Sequence, residues 1–200
     1  MSQLWIARHA NRQDFVDPRW LETADRPYDP PLSADGWEQA RALAQRLAAA
    51  PIRYLYASPF LRTVQTAAAI AEVLGLPIRL EPGLGEWLHP DWMPAAPARL
   101  SSEALAAQFP IDLTYQSPAT SVYPETETDL LARTAATAQR LAALPEPQLW
   151  IGHERSVFGA IRGLVPTVPP FTVPLCSVSH LQKNGDRWQV QTLIDTTHWS

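Results

Sequence analysis

The segment Leu4-Trp5-Ile6-Ala7-Arg8-His9-Ala10-Asn11-Arg12 begins as a short apolar run and ends in an arginine, a histidine and a second arginine. The apolar part has the length and composition of a buried strand. A core strand does not explain Arg8 and His9 directly after it, whereas residues at the carboxyl ends of strands in an open α/β sheet line the crevice where ligands bind. Guanidinium groups around a histidine favour an anion, above all phosphate, because arginine offers paired donors. The alternative is a strand end that carries surface arginines.

The composition is that of a folded protein with a single core. The chain has 200 residues, of which 46% are hydrophobic and 18% charged, and this predicts one domain spanning residues 1–200. A net charge of -4 without a basic run argues against nucleic acid as a partner. Cys176 is the only cysteine, which excludes an intrachain disulfide and a cysteine-based zinc site. With no basic leader and no long apolar stretch, we expect a cytoplasmic protein without a membrane segment.

Strand-like and helix-like patterns alternate along the chain. They predict a three-layer α/β/α sandwich with a mainly parallel sheet and antiparallel additions at its C-terminal edge. The predicted strands cover 4–7, 54–57, 78–80 and 148–151, followed by a hairpin of strands 177–182 and 188–194 joined by Asn184-Gly185. One predicted helix is capped by Ser33 and ends before Pro51, and the next starts at Ser58-Pro59 with Ser58 as N-cap and stops at Gly75. Two further helices are predicted over 126–144 and over about 154–162.

Two segments do not fit this alternation. Residues 11–31 are polar and interrupted by prolines, and residues 88–124 are rich in proline and irregular apart from a short helix predicted over 102–108. Long loops in compact domains are usually functional. We therefore expect the insertion at about 88–124 to cap the site, with the 11–31 loop as a second wall.

Three parts of the chain place arginine or histidine where the predicted sheet has its carboxyl rim. Arg8 and His9 follow the first strand, and Gly152-His153 follows the strand over 148–151. Arg62 lies near the start of the helix after the second strand, at the partly positive end where anions bind well. Each residue alone has an ordinary structural explanation, but the combination predicts a shared anion site.

These residues also carry a family resemblance. Arg8-His9, the segment Ser58-Pro59-Phe60-Leu61-Arg62-Thr63-Val64-Gln65-Thr66-Ala67 and Gly152-His153 resemble, in order and spacing, the motifs of the histidine phosphatase superfamily, also called the phosphoglycerate mutase-like fold. The resemblance spans nearly the whole chain. The segments 81–87 and 111–115 are similar to the branch of the suppressor-of-T-cell-receptor-signalling phosphatase domains and ecdysteroid-phosphate phosphatase.

The resemblance implies a phosphomonoester hydrolase that works through a phosphohistidine and needs neither metal nor cofactor. It assigns His9 as nucleophile and Arg8, Arg62 and His153 as phosphate ligands, with Arg12 as a further contact and His153 counted among the catalytic residues. It assigns Glu86 as general acid, with Glu81 as the rival carboxylate. We expect Trp87 to help desolvate Glu86 and raise its pKa. The implied substrate is a small-molecule or protein phosphomonoester, and the leaving group's identity and the oligomeric state do not follow from the sequence.

One departure from the family pattern concerns the phosphate pocket. His153 is followed by Glu154 and Arg155 rather than by small residues. We expect Glu154 to point away from the phosphate or to pair with Arg155. Two alternative functions stay open: a phosphoglycerate mutase-type phosphoryl transferase, and a non-catalytic phosphate-binding module. The motifs of P-loop proteins, dinucleotide-binding folds and HExxH metalloproteases are absent from the sequence.

Overall fold

The computed structural model describes residues 2–199, which form one six-stranded sheet with strand order β3-β2-β4-β1-β5-β6. The first four of these neighbours run parallel, and β5 and β6 are antiparallel additions at one edge. The predicted mainly parallel sheet with an antiparallel C-terminal edge is therefore confirmed. The strands are β1 Gln3–Arg8, β2 Tyr54–Ala57, β3 Ile78–Leu80, β4 Gln148–Gly152, β5 Val178–Asn184 and β6 Arg187–Asp195.

Helices cover both faces of the sheet, as the three-layer prediction requires. Helices α2 and α3 pack on one face, and α5 and α6 pack on the other. The helices are α1 Trp20–Thr23, α2 Ala34–Leu47, α3 Leu61–Leu74, α4 Ser102–Ala106, α5 Glu127–Leu141 and α6 Glu154–Leu164, with 3-10 turns at Gln13–Phe15 and Pro82–Leu84. Within residues 2–199, no helix combines the length and the hydropathy needed to cross a bilayer.

The central strand β1 shows why the core has two halves. Successive strand side chains point to opposite faces of a sheet. Trp5 and Ala7 accordingly join the core under α2 and α3, while Leu4 and Ile6 join the core under α5 and α6. Because β1 is covered on both faces, its apolar run is continuous, and the first charged side chain appears only at Arg8, where the strand ends.

The observed helix starts agree with the predicted ones where the N-cap residue directly precedes the helix in the chain. The Ser33 hydroxyl accepts a hydrogen bond from the Gly36 amide at 3.2 Å, as predicted for α2. The predicted N-cap Ser58 is wrong, because α3 begins at Leu61. The Leu61 amide is instead satisfied by the buried Asp29 carboxylate at 2.8 Å. This cap comes from the 11–31 loop and leaves the Ser58 side chain free for another contact.

The other ends are close to their predicted positions. Helix α3 stops at Gly75, which has a left-handed φ of 65°, and α5 starts at its cap Thr126 but ends at Leu141, three residues before the predicted 144. In the C-terminal hairpin Asn184 pairs with Arg187, so that Gly185 and Asp186 form the turn. Gly185 has a φ of 60° there, a conformation that a residue without Cβ adopts at little cost.

Candidate active site

The arginines and histidines predicted to share the sheet rim do come together. Arg8 is the last residue of β1, and β4 runs parallel beside it and ends at Gly152. The His9 amide donates to the Gly152 carbonyl at 3.0 Å, and the His9 and His153 rings lie 5.2 Å apart between centroids. Arg62, the second residue of α3, is 3.2 Å from the His153 ring, measured from Nη2 to Nδ1.

His9 is almost fully buried and held in one tautomer. Its Nδ1 lies 2.8 Å from the Ala10 carbonyl oxygen. A carbonyl only accepts, so Nδ1 carries the proton and the lone pair is on Nε2. Burial, together with the positive charge of Arg62 and the neighbouring His153 and Arg8, holds the pKa of His9 well below its usual range. The imidazole is therefore neutral near pH 7 and carries a nucleophilic nitrogen.

His153 is fully buried and is oriented by Ser58. The Ser58 hydroxyl lies 2.9 Å from His153 Nε2, while His153 Nδ1 lies 3.2 Å from Glu86 Oε2. Burial lowers the pKa of His153 to about 4, although the Glu86 carboxylate opposes the shift. Nδ1 faces both the accepting Glu86 carboxylate and the donating Arg62 guanidinium, so these contacts are compatible with a proton on either nitrogen of the neutral ring. Sequence reasoning missed this role of Ser58, because Ser-Pro before a helix is the usual signature of a cap.

Arg62 is a buried cation with spare donors. Its side chain is 1% exposed, and its Nη2 donates to Glu86 Oε2 at 2.9 Å. Its Nε and Nη1 have no hydrogen-bond partner among residues 2–199, and the carboxylate nearest to Nη1 is Asp29, at 4.0 Å. Unsatisfied buried donors are costly. An oxyanion in the adjacent cavity would satisfy them.

Glu86 lies against Arg62 and His153 at the edge of the cavity. Its Oε1 accepts from the Trp87 amide at 3.0 Å. Burial alone would raise the pKa of Glu86, but the interaction and hydrogen bond with His153 and the guanidinium charge of Arg62 outweigh it and hold that pKa well below its usual range. The prediction that Trp87 raises this pKa is therefore wrong for the site without substrate, because the contacts with His153 and Arg62 dominate over desolvation.

The rival carboxylate Glu81 belongs to a different network. Its buried side chain accepts hydrogen bonds from the Gly83 amide, the hydroxyls of Tyr115 and Ser117, and the Arg140 guanidinium, at 2.9, 2.6, 2.6 and 2.6 Å. It does not line the cavity that contains Glu86. Glu81 anchors the segment around Tyr115 to the sheet and to α5, which is a structural task.

The remaining two predicted phosphate ligands are already paired with carboxylates. Arg8 Nη1 donates to the Val173 carbonyl at 2.6 Å and contacts Glu154 Oε2 at 2.9 Å. Arg12 is held by both carboxylate oxygens of Asp14, with Nε 2.6 Å from Oδ1. The expectation that Glu154 points away or pairs with Arg155 is wrong. Glu154 lines the cavity and bonds Arg8, while Arg155 pairs with Glu127.

Arg8, Arg12, Arg62, Glu86 and Glu154 border a cavity of about 460 Å³, whereas His9 and His153 are buried and are not among its lining residues. Its charged part contains the arginines and carboxylates described above. Its apolar part comes from the 11–31 loop and the Pro-rich segment, namely Leu21, Pro27, Tyr28, Trp92 and Met93. Leu21 and Trp92 are 61% and 53% exposed, so large apolar side chains stand open to solvent at the cavity mouth.

Three side chains of the same site are of types that commonly ligate metal ions. Ligand atoms of His9, Glu86 and His153 all lie within 4.8 Å of one another. The Arg62 Nη2 lies 2.9 Å from Glu86 Oε2 and 3.2 Å from His153 Nδ1, so a positive charge is already present beside two of these three side chains.

Comparison with known proteins agrees with this arrangement. Residues 4–196 match the sequence model of the Histidine phosphatase superfamily (branch 1). The chain is 34% identical over 205 residues to mouse Ubiquitin-associated and SH3 domain-containing protein A, covering 82% of this chain and 33% of that protein. It is 25% identical over 241 residues to Drosophila melanogaster Ecdysteroid-phosphate phosphatase, covering 94% of this chain and 31% of that protein.

Solved structures share the fold. The ecdysone phosphate phosphatase from Bombix mori, determined in complex with tungstate, superposes with a TM-score of 0.78 at 23% identity, covering 96% of this chain and 93% of that one. Bacillus stearothermophilus YhfR superposes with a TM-score of 0.74 at 22% identity, covering the whole of both chains. The chain spans about a third of the length of the two curated relatives. With the family match extending over residues 4–196, the chain belongs to the histidine phosphatase superfamily.

Proposed function

We propose that this protein is a phosphomonoester hydrolase that forms a phosphohistidine at His9, with Glu86 as general acid and without a metal ion. The observation that carries the proposal is the state of His9: a buried, neutral imidazole with Nδ1–H fixed by the Ala10 carbonyl and its lone pair on Nε2. A nucleophile of this kind needs no deprotonation before attack. The names of the related phosphatases support the same reaction class.

The phosphoryl group binds among Arg8, Arg62 and His153, with Arg12 at the side. Arg62 supplies the spare donors Nε and Nη1, and Arg8 supplies Nε, which also lacks a partner among residues 2–199. Charge neutralisation and positioning are the main demands of phosphoryl transfer, and buried guanidinium groups provide both. His153, kept neutral and oriented by Ser58, adds one N–H donor in the tautomer that carries the proton on Nδ1.

In the first step the Nε2 lone pair of His9 attacks phosphorus, and the bond from phosphorus to the leaving oxygen breaks. The electron pair of that bond stays with the leaving oxygen, which takes a proton from Glu86. In the second step water attacks the phosphohistidine, Glu86 accepts the proton of water, and the broken P–N bond returns its electrons to His9. One carboxyl group thus acts as acid and then as base.

Glu86 must hold a proton for the first step, although its pKa is low in the site without substrate. A bound phosphoryl group changes this balance because it takes over the donors of Arg62 and His153 and places negative charge beside the carboxylate. The second phosphate pKa is ~6, so a substrate monoanion also carries a proton into the site. Both effects favour a protonated Glu86 in the complex.

The direct test is hydrolysis of a generic aryl phosphate by the wild type and by His9→Ala in the presence of a metal chelator. We expect wild-type turnover that the chelator leaves intact, and loss of turnover in the variant by at least about a thousandfold. Wild-type rates in His9→Ala would refute the nucleophile, and chelator-sensitive turnover would refute the metal-independent reaction. Phosphate binding without turnover on any substrate would instead indicate a binding module.

A further inference from the structure

The charges of the cavity are already balanced before any ligand enters. Four arginines and three carboxylates line it, and a fourth carboxylate, Glu127, lies outside the lining, so that each arginine has a carboxylate partner. Two of the pairs lie at the phosphoryl end, Arg62 with Glu86 and Arg8 with Glu154, both with closest contacts of 2.9 Å. The other two, Arg12 with Asp14 and Arg155 with Glu127, lie at the sides.

Unsatisfied guanidinium donors belong to three residues that line the cavity. The buried nitrogens without a partner include Nε and Nη1 of Arg62 and Nε of Arg8, which lie around His9, and Nε of Arg155, whose charge is paired with Glu127. A phosphoryl dianion can share these guanidinium groups with their carboxylates. A second anionic group on the same substrate would meet no uncompensated positive charge, because Arg12 and Arg155 are neutralised by their partners.

The charges in the cavity are unevenly placed because of Glu154. Its side chain is 51% exposed and lines the cavity, so that it presents negative charge toward the space outside the phosphoryl pocket while it holds Arg8. The rest of that space is apolar, with Trp92 and Leu21 at the mouth. A like charge close to a carboxylate in a partly desolvated cavity is unfavourable, and such a contact discriminates between ligands.

We propose that Glu154 is a specificity-determining residue, and that the cavity selects phosphomonoesters whose leaving group carries no negative charge. The inference rests on the proposed phosphomonoesterase function and narrows its substrate class. It also disfavours phosphoglycerate-type substrates, whose carboxylate lies close to the phosphate.

The test compares two substrates of nearly the same shape, 4-carbamoylphenyl phosphate and 4-carboxyphenyl phosphate, on the wild type and on Glu154→Gln. We expect the wild type to prefer the neutral carbamoyl ester in kcat/KM by about tenfold or more, and the variant to reduce that preference by about tenfold. Glu103→Gln makes the same change in formal charge on an exposed helix outside the cavity and should keep the wild-type preference.

Equal kcat/KM for the two esters in the wild type, or a preference that Glu154→Gln leaves unchanged, would overturn the inference. If neither ester is hydrolysed, the proposed function fails, and the dissociation constants of the matching 4-carbamoylbenzyl and 4-carboxybenzyl phosphonates decide the inference separately. Calorimetry should then give the same preference and the same effect of Glu154→Gln. Equal affinity of the wild type for both phosphonates would refute it.

Discussion

Glu86 and Glu81 are the two candidate acids, and replacing each by glutamine should change activity and stability in different ways. Glu86→Gln keeps an oxygen that can accept from Arg62 at 2.9 Å and removes the transferable proton. A general acid contributes about 10²- to 10⁴-fold, so the rate on an alkyl phosphate should fall by that factor. On 4-nitrophenyl phosphate, whose leaving group needs no proton, the first step should lose less than about tenfold.

Glu81→Gln should weaken the fold and spare the chemistry. The carboxylate accepts four hydrogen bonds and is fully buried, whereas its charged partner Arg140 is 34% exposed. Replacing the carboxylate by an amide loses one charge-assisted bond and forces an amide N–H toward a donor. A bond to a charged group is worth about 1.5–3 kcal/mol, and partial exposure of the partner places the cost near 2 kcal/mol.

The assays are kcat/KM on both esters, which reports the first step and not the later hydrolysis in which Glu86 acts as base, and thermal unfolding of the three proteins. For a chain of this size about 2 kcal/mol lowers Tm by roughly 4–8 °C, so Glu81→Gln should show that shift with a normal rate per folded molecule. Glu86→Gln should also lower Tm, because it leaves the buried Arg62 guanidinium without its carboxylate, but its rate loss per folded molecule should depend on the leaving group. Equal losses on both esters, or a leaving-group effect in Glu81→Gln, would refute the assignment of the acid.

Two other predictions concern the histidines. Ser58→Ala removes the group that orients His153, and we expect its kcat/KM to be about tenfold or more below that of the wild type. Ser58→Thr keeps the hydroxyl and should restore part of the lost kcat/KM. Equal rates in Ser58→Ala and the wild type would contradict the role of Ser58 in orienting His153. The pKa values of His9 and His153 are lowered in the folded state, so below pH ~6.5 the unfolded chain takes up protons that the folded chain does not. Denaturant unfolding should therefore show a free energy of unfolding that decreases as the pH is lowered, by up to about 1.4 kcal/mol per pH unit for each histidine. An unchanged free energy of unfolding between pH 7 and 5 would contradict the burial of the two neutral rings.

Much of the fold follows from patterns that are local in the sequence. Apolar runs of four to six residues predicted the buried strands, and helical spacing with local caps such as Ser33 predicted α2. The start of α3 did not follow, because its first amide is satisfied by Asp29, a residue from a loop some thirty positions earlier. A cap supplied from elsewhere in the fold leaves no signal at the helix itself.

Part of the candidate active site was likewise predictable from the sequence, and part was not. Arg8, His9, Arg62 and His153 could be brought together from strand order, because the carboxyl ends of parallel strands meet at one rim. The contact of Glu154 with Arg8 and the pKa of Glu86 could not, since both depend on distances between side chains from separate elements. Adjacent positions in the sequence favoured a pair of Glu154 with Arg155, but neighbouring residues on a helix do not face each other.

The central claim is the covalent intermediate at His9. Rapid acid-free quenching of the enzyme during turnover of an aryl phosphate, followed by mass spectrometry of its peptides, tests it most directly. We expect an acid-labile, alkali-stable phosphoryl group on His9 that forms and decays at rates compatible with turnover and is missing in His9→Ala. Sustained hydrolysis with no phosphorylated enzyme at any time point, or a phosphoryl group on another residue that persists in His9→Ala, would contradict it.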